Sequence, residues 1–152
     1  MKISEILHKN SIIANLKSRD KKGVLEELAT AVSAIANTET RDIVKVLLER
    51  EQLGSTGIGG GIGIPHGKLA TINSIVVGFG LSQEGVDFDS LDNKPVHIFF
   101  LLITPTNSTG SHLKVLAQIS RLLKRTDFKE SLLKSESVDE IMGIIHSVDE
   151  DF

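Results

Sequence analysis

The chain has no cysteine, no tryptophan and no tryptophan-like stacking platform, and it holds only three prolines in 152 residues. Without cysteine it can form neither a disulfide nor a thiolate metal site. Aromatic residues are 4% of the chain, all phenylalanine, and the net charge is −3 with the basic residues scattered. A nucleic-acid groove needs a basic stripe or aromatic platforms, so nucleic acid is excluded as the main partner. Long hydrophobic runs are missing too: the longest, around residues 96–103, is broken by His97. Spanning a bilayer takes ~20 apolar residues, so no direct membrane insertion is expected. The opening "MKISEILHKN" has no apolar core followed by small residues and does not read as a signal peptide. These absences point to a soluble, cytoplasmic protein.

What is present is ordinary in bulk. Hydrophobic residues are 40% and charged residues 24%, which suits a globular chain, and 152 residues fit a single domain over 1–152. Apolar residues at three- and four-residue steps predict a helix over 22–36. Thr38 is placed to cap a second helix that carries Ile43, Val44, Leu47 and Leu48 and ends near residues 50–53. "SIVVGFGL" reads as a strand, and so does "VHIFFLLIT". The near-continuous apolar run of the latter suits a central strand covered on both faces. Smaller strands are expected near 12–16 and 86–88. A helix over 112–125, with a stripe of Leu113, Leu116, Ala117, Ser120 and Leu123, is followed by helices over 127–134 and 138–147, the last capped by Ser137. The pattern predicts one α/β domain with a mixed β-sheet flanked by helices on both faces.

One stretch is unlike the rest. "GIGGGIGIPHGK", residues 57–68, packs six glycines, a proline and a histidine into twelve residues. It fails as a phosphate loop: between Gly63 and Gly67 there are three residues rather than four, and Leu69 follows Lys68 where a hydroxyl belongs. It fails as a dinucleotide fingerprint, because Ile62 stands at the third glycine position and a helix, not a strand, precedes it. A flexible linker would be rich in glycine and serine. Here isoleucines alternate with glycine, and Pro65 fixes a backbone angle just before His66. The stretch therefore reads as an ordered frame that displays an imidazole. A histidine is largely neutral near pH 7 and needs a partner on one ring nitrogen to act as a nucleophile through the other. Taken locally, His66 is equally an ordinary loop histidine.

His112 adds to the case. It falls at the expected N-terminus of a helix, just past the C-terminal end of the apolar strand, where sites in α/β sheets gather and where free N–H groups favour phosphate. Taken alone it is a solvent-facing residue of a first turn. His8, His97 and His146 read as peripheral or sheet-face residues. No histidine pair has a helical metal spacing, so neither a metal nor a cofactor is expected.

The segment "LLEREQLGSTGIGGGIGIPHG" resembles the active-site signature of the fructose/mannitol-type (type 2) enzyme IIA domains of the bacterial phosphoenolpyruvate-dependent phosphotransferase system. The signature runs from Glu51 through Ile58-Gly59 and Ile62 to Ile64-Pro65-His66-Gly67, with Gly63 standing where the family usually has alanine. "LDNKPVHIFFLLITPTNSTGSHLKVLAQISRLL" is similar to the family's second region, in which His112 takes the place of a second active-site histidine. "REQLGSTGIG", "IPHGKL" and "DNKPV" look most like the stand-alone nitrogen-regulatory branch. The resemblance implies a phosphohistidine carrier, a phosphotransferase without a cofactor. His66 would accept a phosphoryl group from a small HPr-like histidine phosphocarrier protein, and regulatory target proteins or a IIB domain would lie downstream. His112 and Arg50 would assist, and backbone N–H groups at Ser55, Thr56 and Gly67 would cradle the phosphate. The alternative is a sugar-specific IIA component that passes phosphate to a IIB domain. Arg50 also reads as a helix C-terminal cation, and Ser55 and Thr56 as turn-capping residues.

Overall fold

The computed structural model describes residues 2–107 and 110–149, with Ser111 and His112 described in their backbone only. Its elements run α1 (Ile3–Ile6), β1 (Leu7–Ile13), α2 (Lys21–Ala36), α3 (Thr40–Glu51), β2 (Gly57–Gly59), β3 (Ile62–Gly63), β4 (His66–Leu69), β5 (Val76–Val86), β6 (Val96–Pro105), α4 (Gly110–Leu123), α5 (Thr126–Leu133) and α6 (Val138–Val148).

The apolar run at 96–105 becomes the centre of a six-stranded sheet ordered β1-β5-β6-β3-β2, with β4 also on β6. The β1–β5, β3–β6 and β4–β6 pairs are parallel, whereas β5–β6 and β2–β3 are antiparallel. The sheet is mixed, as expected. Successive side chains of β6 alternate between two cores. Ile98, Phe100 and Leu102 join the layer under α1, α4, α5 and α6. Phe99, Leu101 and Ile103 join the layer under α2 and α3. Each face holds an edge-to-face phenylalanine pair: Phe79 with Phe100 at 5.0 Å on one, Phe88 with Phe99 at 5.1 Å on the other.

The glycines of "SIVVGFGL" face α2. A Cβ added at Gly80 would lie 2.8 Å from Leu16 Cδ1 and 3.0 Å from Leu28 Cδ2, so the helix can approach only because the strand is bare there. Gly80→Ala is expected to cost about 1–3 kcal/mol, read as a lower urea midpoint at unchanged slope.

Several local expectations need correction. Thr38 does not cap α3. Asn37 turns the chain in the left-handed region at φ 48°. The Thr38 hydroxyl therefore folds back to donate to the Ala36 carbonyl at 2.9 Å, and Glu39 takes the cap position. The first strand lies earlier, at Leu7–Ile13, and residue 86 simply ends the long β5. In α4 the buried stripe is Val115, Ile119, Leu122 and Leu123, while Leu113 is 59% exposed. That helix is apolar around more than one arc, and the β-branched pair faces inward. Ser137 does cap α6, accepting from the Glu140 N–H at 3.1 Å.

Candidate functional site

The glycine-rich stretch is sheet, not loop. Gly57–Gly59 and Ile62–Gly63 form a small antiparallel hairpin. Its turn runs through Gly59, Gly60 and Gly61 at φ of 96°, 67° and 81°, a region that side chains other than glycine rarely adopt. Asp92 holds the tip. Its carboxylate accepts from the Lys94 N–H and the Gly60 N–H, each at 3.1 Å. Those amides, Lys94 first, keep it below the usual carboxylate range. Ile62 and Gly63 then pair in parallel with Ile98 and Phe99 of β6. Gly63 shows the close approach its bare position implies: a Cβ there would sit 3.1 Å from the Phe99 ring.

After Ile64 and Pro65 the chain rejoins β6 as β4, with His66 opposite Leu102 and Lys68 opposite Thr104. The Pro65 carbonyl accepts from the Leu102 N–H at 3.0 Å, so the backbone before the histidine is tied as well. His66 is therefore a strand residue, fixed at the backbone on both sides. Its ring is fixed too: Nδ1 lies 2.8 Å from the Ile64 carbonyl oxygen. A carbonyl only accepts, so the bond requires a proton on Nδ1. In the neutral ring Nε2 then carries the lone pair and is the nucleophilic atom.

His66 opens into a cleft of about 440 Å³. Its floor and walls are Leu102 and Thr104 from β6, Gly67 and Lys68 from β4, and Val46, Glu49, Arg50 and Leu53 from the end of α3 and the turn after it. Residues two apart on a strand share a face, so Lys68 projects from the same side of β4 as His66. Arg50 donates through Nη1 to the Gly54 carbonyl at 2.9 Å, which anchors the guanidinium at the rim and leaves its other donors for a ligand. Two cations and one exposed carboxylate thus line the same cleft as the imidazole. Gly67 has a packing reason as well: a Cβ there would be 3.1 Å from Val46 Cγ2, so α3 lies directly against β4.

The structure brings His66, Arg50 and Gly67 around one cleft. It puts Ser55 and Thr56 outside that cleft. The Ser55 hydroxyl donates to the Phe88 carbonyl at 2.9 Å. Thr56 is 4% exposed, and both its N–H and its hydroxyl are held by the Glu51 carboxylate. Neither residue lines the cleft. His112 lies in the first turn of α4, as expected, and its side chain lies outside the described residues. Sequence reasoning missed Lys21, whose Nζ is 3.0 Å from Glu51 Oε1. No local pattern could have paired residues thirty apart. Lys68 was legible only as part of a signature, although its position two after His66 carried the information.

Among the described residues no helix is long and apolar enough to cross a membrane. The family model for "Phosphoenolpyruvate-dependent sugar phosphotransferase system, EIIA 2" matches residues 5–148. The chain is 39% identical over 150 residues to a fructose-specific EIIABC component of the phosphotransferase system from Bacillus subtilis, covering 98% of this chain but 24% of that protein. It is 37% identical to a nitrogen regulatory protein from Bradyrhizobium diazoefficiens, covering 95% of each. The crystal structure of nitrogen regulatory protein IIA-Ntr from Neisseria meningitidis superposes with a TM-score of 0.89 at 35% identity, over 94% of this chain and 98% of that one.

Proposed function

This chain belongs to the EIIA 2 family of the phosphoenolpyruvate-dependent phosphotransferase system, and from that premise we propose that it carries a phosphoryl group on Nε2 of His66. The donor is the phosphohistidine of a small HPr-like carrier protein. The observation that carries this reading is the bond from His66 Nδ1 to the Ile64 carbonyl, which leaves Nε2 as the lone-pair atom of a histidine that lines the cleft.

In the transfer the Nε2 lone pair attacks phosphorus. The bond from phosphorus to the carrier's imidazole breaks, and its electron pair returns to that ring. The transition state is loose, with charge on the three equatorial oxygens, so catalysis is positioning and charge stabilisation. Arg50 and Lys68 supply cations at the rim. No proton has to leave His66: the phosphorylated ring keeps its Nδ1 proton, and the Ile64 carbonyl dipole offsets the positive charge that the ring gains. His112 is assigned the second role, donating a hydrogen bond to a phosphoryl oxygen from the first turn of α4. Gly67 leaves the ring unshielded. Phosphoenolpyruvate and its carriers are soluble, so the proposal places the chain in the cytoplasm.

The regulatory branch is the favoured setting, supported by the match to a nitrogen regulatory protein over 95% of both chains. There the phosphorylation state of His66 is itself the signal to target proteins. The second reading is a sugar-specific IIA component, supported by the 39% identity to part of a fructose-specific protein. Incubation with phosphoenolpyruvate and the upstream carriers should give an acid-labile phosphoprotein. His112→Ala should still accept phosphate, about 10²-fold more slowly, the scale of losing one stabilising donor. Complete loss of uptake would mean that the two histidines exchange roles. Onward transfer to a IIB domain and then to sugar would favour the second reading; absence of transfer, with state-dependent capture of a target, favours the first.

A further inference from the structure

We propose that Glu51 is a positioning residue for His66, acting through Thr56 and Ile64 and resting on the phosphocarrier reading for its rate effect. Glu51 closes α3 with its side chain only 3% exposed. A carboxylate removed from water is costly unless it is paired and hydrogen-bonded. Both of its oxygens are engaged. Oε1 accepts from the Thr56 N–H at 3.1 Å and faces Lys21 Nζ at 3.0 Å. Oε2 accepts from the Thr56 hydroxyl. Lys21 is itself seated, 5.0 Å from the centre of the Phe88 ring and 3.6 Å from an Asp89 oxygen.

The network continues toward the chemistry. The Thr56 carbonyl accepts from the Ile64 N–H at 3.0 Å. The carbonyl of that same Ile64 accepts from His66 Nδ1 at 2.8 Å. The buried carboxylate thus fixes a threonine, which ties the N–H of the residue whose own carbonyl selects the histidine tautomer. Lys21, Glu51 and Thr56 do not line the cleft, so Glu51 acts through residues that do, and the tautomer of His66 reads the route through Ile64 separately from any route through Arg50. Stability alone is a poor reason for this pair, since apolar residues of similar volume often serve a core as well or better. Holding Thr56 at both its N–H and its hydroxyl gives orientation, which an apolar contact does not.

The test compares full-length wild type, Glu51→Ala and Glu51→Gln. The first readout is the ring-nitrogen spectrum of His66 in unphosphorylated protein. Wild type should show Nδ1–H only, and Glu51→Ala a mixture of tautomers. Glu51→Gln keeps an oxygen for the Thr56 N–H and should stay Nδ1–H. The second readout is single-turnover phosphoryl uptake. Glu51→Ala should fall about 100-fold, the cost of roughly 1 Å of misplacement. Glu51→Gln should remain within about 10-fold of wild type, the scale of one weakened hydrogen bond. A folded Glu51→Ala with the wild-type tautomer and rate overturns the proposal. If Glu51→Ala does not fold, Thr56→Val carries the test. It deletes only the hydroxyl donor and should show the same tautomer mixing with about 10-fold slower uptake; wild-type behaviour in both readouts overturns the proposal. If wild type takes up no phosphate at all, the phosphocarrier reading fails while the nitrogen spectra still decide the positioning role.

Discussion

Exchanging His66 for alanine is expected to abolish phosphoryl uptake, by about 10⁶-fold or to the detection limit, the scale seen when a nucleophile is deleted. No other histidine is both held by a backbone carbonyl and open to the cleft among the described residues. His97, the nearest in sequence, is bonded through Nδ1 to the Ser82 carbonyl at 2.8 Å, and it is absent from the cleft lining. The fold should survive the change. His66 is half-buried with one ring hydrogen bond, so the loss is about 1 kcal/mol. Uptake of label from phosphoenolpyruvate through the upstream carriers, alongside a thermal melt, separates the two effects. An alanine variant that still accumulates acid-labile phosphate would place the nucleophile elsewhere.

The second large effect belongs to Arg50. Arg50→Ala should slow uptake by about 10³-fold, the lower end of what an arginine contributes to phosphoryl transfer. The loss should fall on the rate constant rather than on carrier affinity, because the charge it meets develops in the transition state. Arg50→Lys should recover only part of the rate. Lysine can still reach the Gly54 carbonyl that Arg50 now caps at 2.9 Å. It cannot present a planar fork to two oxygens at once. Wild-type rates in Arg50→Ala would reduce the residue to a helix-end cation.

Much of this arrangement was legible because its signals are local. The run "VHIFFLLIT" has apolar residues on both parities, and β6 buries both faces accordingly. The glycines and proline around His66 announced ordered backbone, and the chain there is three short strands with a hairpin turn between the first two. That these strands lie along β6 was not legible, since pairing depends on contacts more than thirty residues apart. The same distance hid the Lys21–Glu51 pair. For Thr56 the resemblance implied a backbone N–H in a phosphate cradle, and in the structure a buried carboxylate five residues earlier takes both that N–H and the hydroxyl. In α4 two apolar arcs competed, and helical period alone could not say that Val115 and Ile119 would win over Leu113. Thr38 failed as a cap for a different reason: Asn37 is left-handed and the cap position falls one residue on, at Glu39.

The central claim is that a proton held on Nδ1 by the Ile64 carbonyl makes Nε2 of His66 the phosphoryl acceptor. Nitrogen and phosphorus NMR of the ring-labelled, phosphorylated protein tests it most directly. The account predicts phosphorus coupled to Nε2 of His66 with Nδ1 still protonated. Phosphorus on Nδ1 of His66, or on either nitrogen of His112, would contradict it.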